Sequence, residues 1–390
     1  MLSSCRGEAY SVAALGLPVK AYPPWGDGSR LLLSAIVVVM RISMLLAILA
    51  AALFGAATPL SKGLLGTIGP FTLAGLLYLG AGLALAPWAL RGLGSRVKAL
   101  NGRNRLYVLG SVLAGGIAGP VLLLFGLRAA SSSSVSLWLN LELVATAILG
   151  HFLFRDTMTR RSALAAIGIL AASVLLSIEG GTSTVAAGLL VAGACVAWGF
   201  DNHFTALIDG LTPETSTFIK GIVAGTVNLV IGLLVEGRAE IGPASLGGAL
   251  AIGALSYGAS IVLYIASAQG LGASRAQLFF SSAPLFGLAL AAIFLGEIPT
   301  VARAVALALM GLSWSLLLGD RHSHDHLHMR AIHTHWHRHG EGHHSHGHES
   351  LPPLARLFGH GHEHEHEDLE HRHPHVSDIH HRHVHEEGEG

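Results

Sequence analysis

Leu278 to Thr300 reads LFFSSAPLFGLALAAIFLGEIPT, and this stretch decides the class of fold. About 18 residues in it are apolar or small and carry no charge, which is long enough to cross roughly 30 Å of hydrocarbon as a helix. Pro284 lies inside the run, where neighbouring helices can satisfy the carbonyl that a proline leaves without a partner. The stretch therefore predicts a transmembrane helix, and Glu297 marks its exit to the membrane surface.

The composition extends this interpretation to most of the chain. Of the 390 residues 51% are hydrophobic and only 12% are charged, and the mean hydropathy is +0.55. Soluble domains carry about 25% charged residues, so the composition excludes an ordinary water-soluble protein. The sequence contains no nucleophile–base pair, phosphate-binding loop or cofactor motif. We therefore expect neither an enzyme nor a nucleic-acid-binding protein, and no required cofactor.

The apolar residues fall into ten spans joined by short connections. The predicted spans are 42–61, 71–90, 106–126, 132–154, 162–178, 185–206, 216–235, 246–266, 276–296 and 300–318. Each is about the length that a transmembrane helix needs. Glycine and alanine are frequent within them, as expected where helices pack closely in lipid. The sequence thus predicts an all-α integral membrane protein with the bilayer as its first partner.

Residues 1–41 differ from the spans in having no regular periodicity. They make a poor signal peptide, because the segment before the apolar run is long and no small-residue cleavage site follows. Two interpretations remain: a disordered N-terminal extension, or a mis-assigned start with Met40 or Met44 as the true first residue.

Basic residues in the short loops predict the orientation. Arg91, Arg96, Lys98, Arg103 and Arg105 follow the second span, and Arg155, Arg160 and Arg161 follow the fourth. The loops of the other side hold few basic residues. Because Lys and Arg favour the cytoplasmic side, an even number of spans places both termini in the cytoplasm.

The two halves of the apolar region repeat each other at an interval of about 140 residues. Phe54-Gly55 corresponds to Trp198-Gly199, and the charged exit at Asp156 corresponds to that at Glu297. Five spans in each half make the copies inverted in the membrane. Such inverted repeats, with a site at their interface, are typical of secondary transporters.

These residues resemble the EamA-type permeases of the drug/metabolite transporter superfamily. The resemblance covers about 42–318, rests on Phe54-Gly55, Trp198-Gly199 and the run from Ser281 to Thr300, and gives domains of 42–178 and 185–318. It implies a ten-helix inner-membrane carrier of a small molecule that works by alternating access. The substrate is not implied, and a second copy of the chain is a further candidate partner.

The chain departs from that family pattern at one place. Where the second half has Ala283-Pro284, the first half has Leu141-Glu142, so Asn140 and Glu142 lie within an apolar span. A carboxylate at the centre of a membrane helix costs a few kcal/mol and usually faces a cavity or a partner. We interpret Glu142 as a proton-coupling or cation-binding group; a structural hydrogen bond to a neighbouring helix is the alternative.

Other polar and aromatic residues at membrane depth are candidates for the same cavity. The predicted transport-cavity set is Glu142, Asn140, Trp198, Asp201, His203, Pro284 and Ser281. Asp201 and His203 together have the chemistry to bind a cation or relay protons. For each residue, helix packing or capping is the alternative.

The tail from residue 320 to 390 has a different composition. It holds 23 of the 25 histidines, many in His-x-His spacing, and such a segment cannot bury a core, so disorder is predicted. Neutral imidazole binds Zn²⁺, Ni²⁺, Co²⁺ and Cu²⁺. The candidate metal ligands are His322, His324, His326, His328, His333, His335, His337, His339, His362, His364 and His366.

Three functions remain open. The preferred interpretation is a permease that exports a small metabolite or drug and whose tail binds divalent metal. The second is an exporter of Ni²⁺, Co²⁺ or Zn²⁺. The third is a membrane-anchored metal buffer or sensor that transports nothing. Glu142 favours a carrier over an anchor, because an anchor has no use for an intramembrane carboxylate.

Overall fold

The computed structural model describes most of the apolar region and four short segments of the tail. The described residues are 27–153, 160–179, 182–208, 210–237, 240–271, 279–297, 300–318, 322–328, 331–337, 360–366 and 369–375. The chain divides into two units after Arg41.

The first half of the apolar region is helical. Its helices are α1 (Asp27–Leu64), α2 (Pro70–Ala89), α3 (Leu93–Ala99), α4 (Gly102–Ser111), α5 (Gly119–Ala129), α6 (Ser132–Trp138), α7 (Leu141–Leu153) and α8 (Arg160–Glu179). A seven-residue π-helix, Val112–Ala118, joins α4 to α5. This wider helix is the first departure from regular α-helical geometry in the chain.

The second half repeats this plan. Its helices are α9 (Thr182–Ala206), α10 (Pro213–Val235), α11 (Pro243–Ile252), α12 (Ser260–Leu271), α13 (Ala283–Leu295) and α14 (Val301–Leu318). A second seven-residue π-helix, Gly253–Ala259, joins α11 to α12. Each π-helix lies in the third span of its half, so the two halves share an irregularity as well as a helix order.

Within the described residues, seven helical segments are long and apolar enough to cross a membrane, judged by length and composition. They are Arg41–Leu64, Pro70–Ala89, Gly102–Ala129, Ser132–Leu153, Thr184–Thr205, Pro213–Val235 and Pro243–Ser267. Three shorter apolar helices, Ala163–Ile178, Ala283–Leu295 and Val301–Leu316, coincide with the other three predicted spans. A multi-pass membrane protein is confirmed, and a ten-helix inverted repeat stays a prediction.

The N-terminal segment is helical where the structure describes it. Helix α1 begins at Asp27 and includes residues 27–41. The reason is local: Leu31–Met40 is an apolar run without glycine or proline, and nothing in it interrupts a helix that continues into the first span. Residues 1–26 lie outside the described residues.

The surface of the bundle is apolar and its interior contains polar groups. Leu234 is 80% exposed and Phe152 is 75% exposed, whereas Asn228 and Thr215 are fully buried. This distribution suits a protein in lipid, because hydrocarbon accepts exposed leucine and phenylalanine while buried hydroxyl and amide groups hold helices together.

Helices α2 and α10 pack with their backbones in close contact. A Cβ on Gly75 would lie 2.6 Å from the Leu229 nitrogen, and a Cβ on Gly225 would lie 2.7 Å from the Leu79 nitrogen. Real side chains do not fit at such distances. The glycines of these two helices therefore allow the close approach that membrane helices use in place of a hydrophobic driving force.

Two glutamates of the second half cap helices of the first half. Glu236, at the end of α10, accepts hydrogen bonds from the N–H groups of Phe71 and Thr72 at 2.8 and 3.0 Å. Glu297, after α13, accepts from the N–H groups of Ser132 and Ser133, both at 2.8 Å. Each carboxylate satisfies N–H groups that have no partner within their own helix, and each favours the positive end of the helix dipole.

Four segments of the tail form antiparallel pairs. Strand β1 (His322–His328) pairs with β4 (Leu369–His375), and β2 (Ala331–His337) pairs with β3 (His360–His366). The sequence predicts disorder for the tail, and these four segments differ from that prediction. Alternation with a period of two, as in His-x-His, fits an extended strand, which explains why pairing is compatible with the composition.

Close packing of α2 on α10 predicts that a large side chain on this interface prevents folding. We expect Gly225→Leu to destabilise the protein by about 3 kcal/mol or more, because the side chain has no space and must push two backbones apart. The measurement is the yield of monodisperse protein in detergent and its thermal midpoint. Gly247→Leu is the matched control, since no atom lies within 4 Å of a Cβ there; equal behaviour of the two variants would contradict the prediction.

Candidate functional site

A break divides the fourth predicted span into α6 and α7. The N–H groups of Asn140 and Leu143 donate to carbonyls three residues earlier, Leu137 O at 3.2 Å and Asn140 O at 3.1 Å. The Asn140 side chain donates to Leu137 O at 3.1 Å and lies 3.3 Å from the sulfur of Met310. Asn140 is buried, so this predicted cavity residue stabilises the break from inside the protein.

A second break, at Ser281 and Ser282, precedes α13. The N–H of Ser282 donates to Phe279 O at 3.2 Å, the N–H of Leu285 donates to Ser282 O at 2.9 Å, and the Ser282 hydroxyl donates to Phe279 O at 2.6 Å. These three bonds correspond one by one to those around Asn140. The numbers of the two central residues differ by 142, close to the interval of the sequence repeat.

The two breaks place Glu142 and Pro284 at equivalent positions. Glu142 lies in the first turn of α7, and Pro284 lies in the first turn of α13. A proline is tolerated there because the first N–H groups of a helix have no intrahelical acceptor. The alignment of Leu141-Glu142 with Ala283-Pro284 predicted from the sequence agrees with the positions of these two helix starts.

Glu142 is a half-buried carboxylate whose partners are neutral. Its Oε1 accepts a hydrogen bond from the Asn202 side chain at 2.9 Å, and the same amide group donates to the Thr146 hydroxyl at 3.3 Å. Asn202 is exposed, so the pair is accessible rather than packed in the core. The first turn of α7 adds the positive end of a helix dipole, which favours a negative charge.

Asp201 has a cation as its partner. The Lys220 ammonium lies 2.6 and 2.7 Å from its two carboxylate oxygens, and Oδ1 also accepts from the hydroxyls of Ser111 at 2.5 Å and Thr205 at 3.0 Å. The carboxylate lies against Gly115, where a Cβ would occupy the same space. This ion pair connects α4, α9 and α10 inside the membrane region.

Asp201, Asn202 and His203 point in three directions. Consecutive residues of an α-helix are about 100° apart, so their side chains cannot converge on one point. Nδ1 of His203 lies 2.7 Å from the carbonyl of Gly199 in its own helix, and the ring is buried. The structure thus places Asp201 with Lys220 and Asn202 with Glu142, and it does not bring Asp201 and His203 together as a joint ligand set.

Trp198 belongs to a hydrogen-bonded cluster around the π-helix of the third span. Pro120 has no N–H for the carbonyl of Gly115, and the N–H of Gly119 donates to Ala114 instead. The Gly115 carbonyl accepts from the Tyr78 hydroxyl at 2.6 Å and from the Trp198 indole at 3.1 Å. Trp198 therefore satisfies a carbonyl that the proline leaves without a helical partner.

Aromatic rings surround Phe54 in the same region. The ring of Phe54 lies 6.4 Å from Trp198, 6.0 Å from Tyr257 and 5.4 Å from Phe280, measured between centroids. Gly55, next to it, packs against the carbonyl of Ala283 so closely that a Cβ would overlap it. The Phe54-Gly55 pair thus holds α1 against the break before α13.

A family model matches this chain twice. The model of the EamA-like transporter family matches residues 41–178 and 186–319, which together exceed half of the chain. The chain belongs to the EamA-like transporter family. An EamA-like transporter is a membrane transporter, so a lipid bilayer and a small-molecule substrate are its partners.

Similar proteins agree with this family. The chain is 29% identical over 266 residues to an uncharacterised transporter of Methanothermobacter thermautotrophicus. The aligned region covers 63% of this chain and 76% of the relative. Superposition on a solved crystal structure covers 71% of this chain and 98% of the chain in that structure, with a TM-score of 0.54 and 18% sequence identity. The likeness to that structure shows that the fold is shared.

The tail of this EamA-like transporter places histidines opposite each other. In the β2–β3 pair His333, His335 and His337 lie at register positions facing His364, His362 and His360; in the β1–β4 pair His322, His324 and His326 face His375, His373 and His371. His339 lies outside the described residues. Within the described part of the chain no group of three or more His, Cys, Asp or Glu forms a metal site, and metal binding stays a prediction.

Sequence reasoning missed two partners in this transporter. Asn202 and Lys220 lie outside the predicted transport-cavity set. Their pairing with Glu142 and Asp201 joins different helices, so no local spacing reveals it. One signal was available for Asp201: Gly115 and Gly116 leave a space beside a helix, and a buried polar group often fills such a space.

The Asp201–Lys220 pair predicts a specific pattern of stability. We expect Lys220→Met to lower the free energy of unfolding by about 3–5 kcal/mol, because it leaves an uncompensated carboxylate in the bundle. The double variant Asp201→Asn/Lys220→Met should regain part of that loss. Thermal midpoints in detergent provide the measurement, with the exposed Lys98→Met as control; a Lys220→Met protein as stable as the wild type would disprove the pairing.

Proposed function

We propose that this chain is a secondary carrier that moves a small metabolite or drug out of the cell by alternating access, with its coupling site at Glu142. The five helical spans of each half act as inverted repeats, and the two breaks lie at their interface. Discontinuous helices near the midplane form the substrate and ion sites of many secondary transporters. Glu142 and Asn202 stand at such a discontinuity.

The observation that carries this proposal is the difference between the two intramembrane acids. Asp201 is neutralised by Lys220. Glu142 receives hydrogen bonds only from the Asn202 amide among the described residues, and no described cation pairs with it. A carboxylate held by neutral partners retains its capacity to take up a proton or a cationic group, whereas the Asp201 charge is already balanced.

The proposed orientation follows the distribution of basic residues. Five of them lie in the connection that contains α3 and in the first turn of α4, so we place this connection, both termini and the tail in the cytoplasm of a bacterial cell. The caps of Glu236 and Glu297 then lie at the outer surface of the inner membrane. In this orientation the histidine-rich tail meets intracellular metal.

The test compares export by full-length protein with export by Glu142→Gln. Cells are challenged with a panel of amino acids, drugs and divalent metals, and growth and cell-associated compound are measured. Gln keeps the size of the side chain and can still accept from Asn202, but it cannot change charge. At equal abundance in the membrane, we expect the export rate to fall about tenfold or more. This corresponds to a rise in the activation free energy of about 1.4 kcal/mol or more when the coupling group is lost.

Glu240→Gln is the matched control, because Glu240 is exposed in the loop between α10 and α11. It should export as well as the wild type. Export by Glu142→Gln at the wild-type rate, with the usual dependence on pH, would rule out coupling at this carboxylate.

A metal exporter is the second candidate, and the facing histidines of the tail favour metal binding of some kind. We propose that the tail binds Zn²⁺, Ni²⁺, Co²⁺ or Cu²⁺ through these histidines. If full-length protein lowers cell-associated metal and Glu142→Gln abolishes that effect, the bundle itself exports metal. If protection follows the tail while cell metal stays high, the tail is a buffer.

Deletion of residues 320–390 tests the tail directly. We expect the shortened protein to insert and fold normally, because membrane helices satisfy their own backbone groups. Equilibrium dialysis with Ni²⁺ or Zn²⁺ should show binding to the full chain and little to the deletion. Binding should fall as the pH drops below about 6.5, because protonated imidazole cannot ligate a metal. Equal binding by both proteins would refute the role of the tail.

A further inference from the structure

A basic pocket lies at one end of the bundle, away from Glu142. It encloses about 410 Å³, and its polar lining comes from Lys62, Arg128, Arg303, Ser131, Ser134 and Thr184. Lys62 lies near the end of α1 and Arg128 near the end of α5. Arg303, Ser131 with Ser134, and Thr184 lie near the starts of α14, α6 and α9. A volume of a few hundred cubic ångströms is typical of small-molecule sites.

Two of the three cations of this pocket, Lys62 and Arg303, are held by hydrogen bonds. The Lys62 ammonium donates to the carbonyls of Leu127 at 2.6 Å and Ala130 at 2.9 Å, where α5 ends. The Arg303 guanidinium donates to the Ser131 hydroxyl at 3.0 Å. Arg128 is exposed at the last turn of α5. Fixed positive groups cost little reorganisation when they bind a negative ligand.

The charge of the lining is strongly one-sided. Among the described residues, the lining contains three basic side chains and no carboxylate. Glu297 lies at the same end of the bundle, but its two oxygens accept from the N–H groups of Ser132 and Ser133, and it is not part of the lining. Hydroxyl groups complete the lining with donors that can turn towards an anion.

We propose that this pocket binds a small anion that carries a phosphate or carboxylate group. Arginine suits both groups, because its planar fork donates two parallel hydrogen bonds to them. The anion comes either from a free molecule in solution or from the headgroup of an anionic lipid at the membrane surface, since both present the same chemistry. The inference concerns binding alone and does not depend on the proposed function of Glu142.

The experiment uses full-length protein in nanodiscs of zwitterionic phosphatidylcholine. Inorganic phosphate and acetate are titrated at constant ionic strength, and the thermal midpoint of the protein is followed. A ligand that binds the folded state raises this midpoint in a saturable way. We expect a saturable rise with at least one of the two anions, and a half-saturating concentration raised about tenfold by Arg128→Gln, corresponding to loss of about 1.4 kcal/mol.

Control variants make the result specific. Arg303→Gln should weaken binding as Arg128→Gln does. Arg91→Gln should leave it unchanged, because Arg91 is exposed in the loop between α2 and α3 and is not part of the pocket. Glu142→Gln should also bind as the wild type, which separates a failure of this inference from a failure of the transport proposal. If Arg303→Gln does not fold, Arg128→Gln still decides the question.

A second set of nanodiscs identifies the source of the anion. A lipid headgroup occupies the pocket if phosphatidylglycerol raises the thermal midpoint and phosphate then has no further effect. In that case phosphatidylglycerol should not raise the midpoint of Arg128→Gln. If phosphate or acetate acts equally in both membranes, a free anion is the ligand. The inference is overturned if neither the anions nor the anionic lipid moves the midpoint, or if the shift persists unchanged in Arg128→Gln and Arg303→Gln.

Discussion

An unpaired backbone group inside a bilayer costs several kcal/mol, and this constraint governs every interruption of the helices in this protein. Because Pro120 has no N–H, the carbonyl of Gly115 lacks a helical donor. The Tyr78 hydroxyl and the Trp198 indole donate to it instead. Where α6 ends, the Asn140 side chain returns to the carbonyl of Leu137. These buried polar side chains are thus explained by the backbone they satisfy. Glu142 differs from them, because its carboxylate accepts a hydrogen bond from the Asn202 side chain and satisfies no backbone group of the break among the described residues.

The two halves solve the same backbone problem with different side chains. Asn140 and Ser282 close equivalent breaks through the same bond, a side-chain donor to the carbonyl three residues earlier. The next helix then carries Glu142 in its first turn in one half and Pro284 in its first turn in the other. Proline removes a donor that the first turn does not need, and so it is sufficient for structure at this position. The carboxylate in the first half adds a charge that the break itself does not require. A functional role would explain why this charge is present.

The sequence predicted a multi-pass helical membrane protein and the alignment of Leu141-Glu142 with Ala283-Pro284, because apolar length, proline and the repeat interval are local signals. It could not predict which helices meet. The pairing of Asp201 with Lys220 depends on the rotation of α9 against α10, and no spacing within one helix encodes that rotation. The proposed cooperation of Asp201 with His203 stays a prediction, and helix geometry speaks against a shared ligand position, since residues two apart on a helix are rotated by about 200° about its axis. The caps by Glu236 and Glu297 were likewise hidden, because a carboxylate at a span end usually indicates only the membrane surface.

The energetics of Glu142 show how a charge can exist at this depth without a counter-ion. Insertion scales assign a cost of about 2.5–3.5 kcal/mol to an acidic residue at the centre of a membrane helix. Placement in the first turn of a helix returns about 1 kcal/mol, and a hydrogen bond to the charged group returns about 1.5–3 kcal/mol. Asn202 provides that bond at 2.9 Å, so the terms balance approximately. Because neutral groups supply the balance, the protonation or ligation of Glu142 breaks no ion pair. Asp201 differs in this respect, since any change in its charge would leave Lys220 without its partner.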